Sequence, residues 1–216
     1  MHAAPAPAPA HGPHDFSEIP TTTLAELLGH EQVMDMGVRP LWNGMPRVAG
    51  PAFTVRCPAG DNLMLHAAIY RAAPGSVVVA EAGDVDFALA GGNVCAVAQR
   101  RGIAAFVIDG AVRDLAEIRD MGFPVVARGV IPIPGTKAAV APHNEPVRCG
   151  GVTVHSGDVV VADEEGVVVV PAARRQDVLA DARAQFAKEA SQSLDDWEAA
   201  HRARVEKALS ERGWQG

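Results

Sequence analysis

The sequence predicts an α/β fold that carries an additional all-β layer and a C-terminal helical extension. Three observations predict it. In the middle of the chain, short apolar runs alternate with stretches whose apolar residues recur at helical spacing. Across residues 147–171, VRCGGVTVHSGDVVVADEEGVVVVP places β-branched runs between Gly-Gly, Ser-Gly-Asp and Glu-Glu-Gly, which are turn signals between antiparallel strands. After residue 172 the composition turns helical and highly charged, as in QDVLADARAQFAKEA and DDWEAAHRARVEKALSER.

Taken in order, residues 23–28 begin a helix: TTTLAELLGH offers threonines for its N-cap, Glu26 in its first turns and Gly29 to stop it. Residues 52–56 read as a short strand, residues 62–72 as a helix with Leu63, Ile69 and Ala72 available to one face, and residues 76–81 as a buried strand. Residues 94–101 are helical, 104–108 a buried strand, and 115–121 a helix stopped by Gly122; Val125 and Val126 open another strand. Strands that are apolar throughout and separated by helices belong to a parallel sheet covered on both faces. The expected packing is helices on one side of stacked sheets. In the extension, Val178, Leu179, Ala182, Phe186 and Ala190 fall close to one stripe that can dock, and a separate helix follows Ser191-Gln192-Ser193.

Composition narrows the function classes. With 216 residues, 48% of them hydrophobic and 21% charged, the chain can bury a full core and is most simply one domain plus extensions. A formal net charge of -7 argues against broad charge-driven binding to nucleic acid or an anionic membrane, so small anionic substrates would need specific arginines. Cys57, Cys95 and Cys149 are odd in number, widely spaced and set among apolar neighbours, as expected of reduced structural thiols in a cytoplasmic protein. The start, MHAAPAPAPAHGPHDF, lacks the layout of a secretory signal and favours an extended, polyproline-like tail. Nothing in it fixes His2, His11 and His14 as a metal site. No apolar run approaches the ~20 residues of a transmembrane helix. The expected organisation is a disordered Ala/Pro-rich tail over 1–20, an α/β domain over 21–171 and C-terminal helices over 172–216.

Three stretches could carry chemistry. Arg113 and Asp114 follow the strand at 104–108 through Asp109-Gly110, read as a tight turn, and so lie beyond a strand's carboxyl end, where ligands of open α/β sheets gather. A guanidinium offers a planar fork of donors to a carboxylate or oxyanion, and an adjacent carboxylate can hold a hard divalent cation. The competing reading is that Asp114 caps the next helix and Arg113 makes a surface ion pair. AGGNVCAVAQRRG puts Gly91, Gly92 and Asn93 at a helix start, where backbone N–H groups and the positive end of the helix dipole suit an anion, although a plain tight turn gives the same pattern. In CPAGDNLMLHAAIY, Asp61 and Asn62 open a helix bearing His66; Asp61 reads equally as an N-cap, and His66 as a packed histidine.

GPAFTV, CPAGDNLMLHAAI, GIAAFVIDGAVRDLAEIRDMGFPV and CGGVTVHSGDVVVADEEGVVVVP occur in order at compatible spacing. Together they resemble the class II pyruvate aldolases that cleave 4-hydroxy-4-methyl-2-oxoglutarate and 4-carboxy-4-hydroxy-2-oxoadipate, and their relatives named after the regulator of ribonuclease activity A (RraA-like). The resemblance runs from about residue 21 to 189. It implies a three-layer β/β/α swivelling-type domain, assembled as trimers or dimers of trimers with active sites between subunits. It also implies that Arg113 binds pyruvate and its enolate, and that Asp114 holds Mg²⁺ or Mn²⁺ largely through waters. Gly91, Gly92, Asn93 and Val94 would contact the substrate through the main chain. Glu26, within TLAEL, and Glu189, within AKEA, would serve the neighbouring subunit's site.

One departure stands out: the aldolases carry an acidic residue where this chain has Gly92. Losing that carboxylate removes a group for orienting or deprotonating a water. Decarboxylation of oxaloacetate needs the same enolate stabilisation but no base for a hydroxyl proton, so Gly92 shifts the expectation toward it without excluding aldol cleavage. The expected function is thus a metal-dependent lyase that forms pyruvate enolate from a small 2-oxo acid, in a homo-oligomer with no nucleic-acid or membrane partner. The rival is a non-catalytic protein-binding regulator of ribonuclease activity. A methyltransferase reading finds no support, since no glycine-rich nucleotide loop stands at the first strand.

Overall fold

The computed structural model describes residues 13–214. In chain order the elements are α1 (Thr21–Leu28), β1 (Arg39–Pro40), β2 (Val48–Cys57), α2 (Leu63–Ala68), β3 (Val77–Ala82), β4 (Ala88–Ala90), α3 (Gly92–Arg100) and β5 (Ala105–Val112). They continue with α4 (Leu115–Asp120), β6 (Val125–Val130), β7 (Val147–Cys149), β8 (Val152–Val154), β9 (Val159–Asp163), β10 (Gly166–Val170), α5 (Arg175–Ser191) and α6 (Leu194–Glu211). One sheet runs β1-β6-β5-β3-β2-β9-β10, with β4 added alongside β5. Its centre, β6-β5-β3-β2, is parallel, and β9, β10 and β1 are antiparallel additions. The sheet curls until β1 lies against β10, so it nearly closes.

The valine-rich strands explain the curl, because alternate residues feed two cores. Val77, Val79, Ala105, Val107, Val126, Val160, Ala162, Val167 and Val169 point inward, where the β7–β8 hairpin fills the interior with Val147, Cys149, Val152 and Val154. Val78, Ala80, Phe106, Ile108, Val125 and Ala127 point outward under α2, α3 and α4. The expected β/β/α layering is present. A further cover is added: α1 and α5 pack over the outer face of β9 and β10 through Leu24, Leu28, Val178, Leu179 and Ala182. Helices therefore lie on both sides of the stacked strands, not on one.

Several local expectations change. Pro13–Glu18 forms a 3-10 turn whose Phe16 is fully buried, and Ile19 follows it into the core, so packed chain begins at Phe16, inside the span expected as a tail over 1–20. The cause is plain: Phe16 and Ile19 are the large apolar groups that the Ala-Pro repeat lacks. Residues 1–12, with His2 and His11, lie outside the described residues. The helix expected over 62–72 stops at Ala68, where Tyr70 and Arg71 tighten into bonds to Ala67 and Ala68 ahead of Pro74. Asp109 and Gly110 form no turn: β5 runs through them to Val112, with a register irregularity against β6 between Ile108 and Ala111. Asp109 is held there by Arg128 and by the Gly150 N–H at 2.9 Å, and Arg128 reaches on to Asp35 at 3.0 Å. The three cysteines are free and buried. Burial pushes the Cys57 thiol up to about 11 and the Cys95 thiol up to about 12, which keeps both protonated and inert.

Helix α6 buries none of its residues against the rest of the chain. Among the described residues no helix is long and apolar enough to cross a membrane.

The start of α1 is capped from elsewhere in the fold. Pro20 occupies the N-cap without a side-chain bond, and Thr21 donates its N–H (3.1 Å) and hydroxyl (2.6 Å) to the Asp163 carboxylate at the end of β9. Asp163 is 6% exposed and also accepts from Arg47 at 2.9 Å and the Glu165 N–H at 3.1 Å. Asp163→Ala strands these donors and is expected to cost about 3 kcal/mol of unfolding free energy. Urea denaturation of the two proteins measures it; a change within about 0.5 kcal/mol would contradict the cap.

Candidate active site

The site forms where neighbouring strands deliver their next residues side by side. β4 ends at Ala90, whose carbonyl accepts from the Arg113 N–H at 2.9 Å, just past the end of β5. Gly91 is extended (φ -150°, ψ -172°) and opens α3. A Cβ there would lie 2.4 Å from Asp114 Oδ2 and 2.9 Å from Arg113 Cγ, so only glycine admits this approach. Asp114 occupies the left-handed region (φ 59°, ψ 39°), which aspartate tolerates better than most side chains. That turn sends its carboxylate backwards. Oδ2 accepts the Gly92 N–H at 3.1 Å, on the neighbouring helix α3, and makes no capping bond to α4. The simple cap reading of Asp114 therefore fails. Arg113 Nε lies 3.5 Å from the same oxygen, and the two side chains remain 40% and 37% exposed, open to a ligand.

These groups face a cavity of ≈ 80 Å³ that Gly91, Asn93, Val94, Arg113 and Asp114 line together with Asn62, His66 and Lys137. Lys137 escaped sequence reasoning because it sits in a loop with no motif. Its placement is enforced by Asp61, which is buried and accepts from the Leu63, Ala138 and Ala139 N–H groups and the Thr136 hydroxyl. Asp61 thus clamps that loop through Oδ2 and holds the first N–H of α2 through Oδ1, while the N-cap position itself falls on Asn62. Asn62, 3% exposed, gives Nδ2 to the Gly135 and Ala88 carbonyls and leaves its buried Oδ1 without a partner among the described residues. His66 is half-buried with Nε2 3.2 Å from the Leu89 carbonyl oxygen. Burial first, then the Lys137 and Arg113 charges, lowers its pKa below 6.5, so the imidazole is neutral at pH 7.

The two glutamates lie elsewhere. Gln185 Nε2 donates to Glu26 at 2.7 Å and to Glu189 at 2.9 Å, and the Thr23 hydroxyl donates to Glu189 at 3.2 Å. They line a second hollow of ≈ 470 Å³ with Leu194 and Trp197 of α6, which shares no lining residue with the first. The fold of this chain does not bring them to Arg113. Gly92 holds a different surprise: a Cβ on it would stand 1.9 Å from Glu117 Oε2, so a carboxylate from α4 already fills that space. For a divalent cation the described residues provide no group of three or more His, Cys, Asp or Glu. A single exposed carboxylate, Asp114, suits Mg²⁺ or Mn²⁺, which are commonly held by one or two carboxylates with water and substrate oxygens completing the shell.

The His66 shift has a stability consequence with a defined sign. The folded imidazole binds its proton less readily than the unfolded one, so its contribution is intact above pH 6.5 and is lost as pH falls from 6.5 through the lower folded pKa. Unfolding free energy should therefore decline from pH 7.5 to 5.5, and His66→Gln should flatten that slope. Parallel slopes in the two proteins would contradict the placement.

A family model described as Aldolase/RraA matches residues 21–169. The chain is 37% identical over 197 residues to a Halalkalibacterium halodurans protein named "Putative 4-hydroxy-4-methyl-2-oxoglutarate aldolase", covering 90% of this chain and 93% of that one. The structure of the RNA-processing inhibitor RraA from Thermus thermophilis matches with a TM-score of 0.64 and 29% identity, over 70% of this chain and 92% of that one. Streptomyces coelicolor RraAS2, titled an unusual member of the RNase ES inhibitor RraA protein family, matches with a TM-score of 0.69 and 27% identity, over 89% and 96%. With its nearly closed sheet, its layered helices and a family match across the whole α/β domain, the chain belongs to the RraA-like family.

Proposed function

We propose that this protein is a divalent-metal-dependent carbon–carbon lyase that forms pyruvate enolate from a 2-oxo acid. The observation that carries the reading is the convergence of Arg113, the Asp114 carboxylate and the start of α3 on one cavity. The aldolase name of the Halalkalibacterium halodurans relative supports it. Arg113 presents a fork of donors to a carboxylate and to the enolate oxygen that forms next to it. Asp114 spends one oxygen on the Gly92 N–H, which leaves the following N–H groups of α3 for an anion at the positive end of the helix. Lys137 adds a second cation, as a substrate with two carboxylates requires. Mg²⁺ or Mn²⁺ at Asp114 would polarise the 2-keto group as a Lewis acid. Neutral His66 keeps a third positive charge away from the two that bind. The bond cleaved is C3–C4 of a 4-hydroxy-2-oxo acid such as 4-hydroxy-4-methyl-2-oxoglutarate, or the C–C bond that releases CO₂ from oxaloacetate.

Glu26 and Glu189 complete the reading only across a subunit boundary, in a homotrimer or a dimer of trimers. Their hollow opens beside Leu194 and Trp197, 76% and 46% exposed on α6, which offers a neighbouring copy an apolar edge. The second reading, a non-catalytic regulator of ribonuclease activity, is favoured by the titles of the Thermus and Streptomyces structures. Under it the paired cations and the turned-back carboxylate have no task.

Asp114→Asn separates the two readings, since asparagine tolerates the same left-handed turn but removes the charge. The variant should fold and lose at least about 100-fold of metal-dependent pyruvate formation from oxaloacetate or 4-hydroxy-4-methyl-2-oxoglutarate, and EDTA should abolish activity of the parent. A coupled pyruvate assay measures both. Undiminished turnover in Asp114→Asn would overturn the assignment.

A further inference from the structure

The connection from β6 to β7, residues 131–146, contains no helix or strand. Long connections of this kind in a compact domain are commonly functional. Thr136, Lys137 and Ala138 are exposed, so apolar burial does not fix their place. Hydrogen bonds do. Thr136 gives its N–H to the Gly60 carbonyl at 2.7 Å, and its own carbonyl accepts the Asn62 N–H at 2.9 Å. On the other side of Lys137, the Ala138 and Ala139 N–H groups converge on one carboxylate oxygen, Asp61 Oδ2, at 2.5 and 3.2 Å. The backbone is therefore held both before and after Lys137.

Asp61 is itself well anchored. It is 4% exposed, its Oδ1 takes the Leu63 N–H at 2.8 Å, and the preceding Gly60 gives its N–H to Asp84 at 2.6 Å. The clamp thus belongs to the rigid part of the fold and the loop is what it holds. Lys137 and Arg113 line the same cavity, and the charges of both reach His66. Their supports differ, however: Arg113 is fixed at the end of β5 by its N–H on the Ala90 carbonyl, whereas Lys137 depends on the loop.

We propose that Asp61 is a positioning residue for substrate selection: by clamping the backbone that follows Lys137, it holds that cation at the cavity and sets a preference for 2-oxo acids with a second carboxylate. The inference rests on the reading of Lys137 as the second cation of the lyase site. A lysine on an unclamped loop must be ordered by the ligand itself, and that entropy is subtracted from the affinity. The penalty falls on the contact with Lys137 and spares the contact with Arg113. A ligand with two carboxylates therefore needs Asp61, and a ligand with one does not.

The test reads binding, by calorimetric titration of the full-length protein at saturating Mg²⁺. The probes are 2-oxoglutarate, a dicarboxylate without a 4-hydroxyl group, and pyruvate, a monocarboxylate. The proteins are the parent, Asp61→Asn, Asp61→Ala, Lys137→Met and Asp61→Ala/Lys137→Met, each with a melting curve. Asp61→Ala should lose at least about tenfold in affinity for 2-oxoglutarate and less than about threefold for pyruvate. Asp61→Asn keeps one accepting oxygen and should lose about threefold or more for 2-oxoglutarate alone, which carries the comparison if Asp61→Ala does not fold. In the Lys137→Met background, Asp61→Ala should cost less than about twofold further for 2-oxoglutarate, because the two residues act as one unit. Trypsin should cut the bond after Lys137 faster in Asp61→Ala than in the parent, as mass spectrometry of the fragments shows. A parent without preference for 2-oxoglutarate, equal losses on the two probes, full additivity in the double variant, or unchanged cleavage after Lys137 would each overturn the assignment. Failure of the lyase reading looks different: the binding pattern stands, and the parent releases pyruvate from neither 4-hydroxy-4-methyl-2-oxoglutarate nor oxaloacetate.

Discussion

The hydrogen bond from the Gly92 N–H to the Asp114 carboxylate is the contact on which the site depends. It joins the beginning of one helix to the residue that precedes the next, across neighbouring parallel strands. To make it, Asp114 adopts a left-handed backbone that costs roughly 1–2 kcal/mol for an ordinary side chain and less for aspartate. Gly91 must lack a side chain to let the carboxylate in. The same turn leaves Arg113 beside Asp114 and over the cavity, so a cation-binding oxygen and an anion-binding fork share one rim.

That arrangement needs a stiff support, and the sheet supplies one. Strands β3 and β5 are buried on both faces, and each successive valine or alanine packs into a different core. Where β5 leaves regular pairing with β6, Asp109 is braced by Arg128 and the Gly150 N–H instead of turning the chain. From Ile108 to Ala111 β5 takes three steps against two on β6, from Ala127 to Gly129, so it carries one extra residue there, as a bulge does. Asp61 performs the equivalent service for the loop that carries Lys137.

The contact between α3 and α4 sets a glycine against a carboxylate. Gly92 alone reads as a turn residue at a helix start. In space, the Glu117 carboxylate occupies the volume that a Cβ on Gly92 would need. Sequence separation hides the contact: the two residues are 25 positions apart and become neighbours only when both helices pack on the same sheet face.

By itself the sequence determined the α/β class, the parallel centre and the valine-rich antiparallel layer, because strands buried on both faces write themselves as uninterrupted apolar runs. It also singled out Gly91, Arg113 and Asp114 as residue types suited to an anion and a hard cation. The tertiary structure decided what those residues do. Composition favoured Asp114 as a cap of its own helix, and only its backbone angle, set by packing between two strands, turned it toward Gly92. Asp163 capping α1 from 142 positions away and Glu117 standing at Gly92 were invisible for the same reason. Local propensity reports on neighbours in the chain, whereas hydrogen bonds and excluded volume act between neighbours in space.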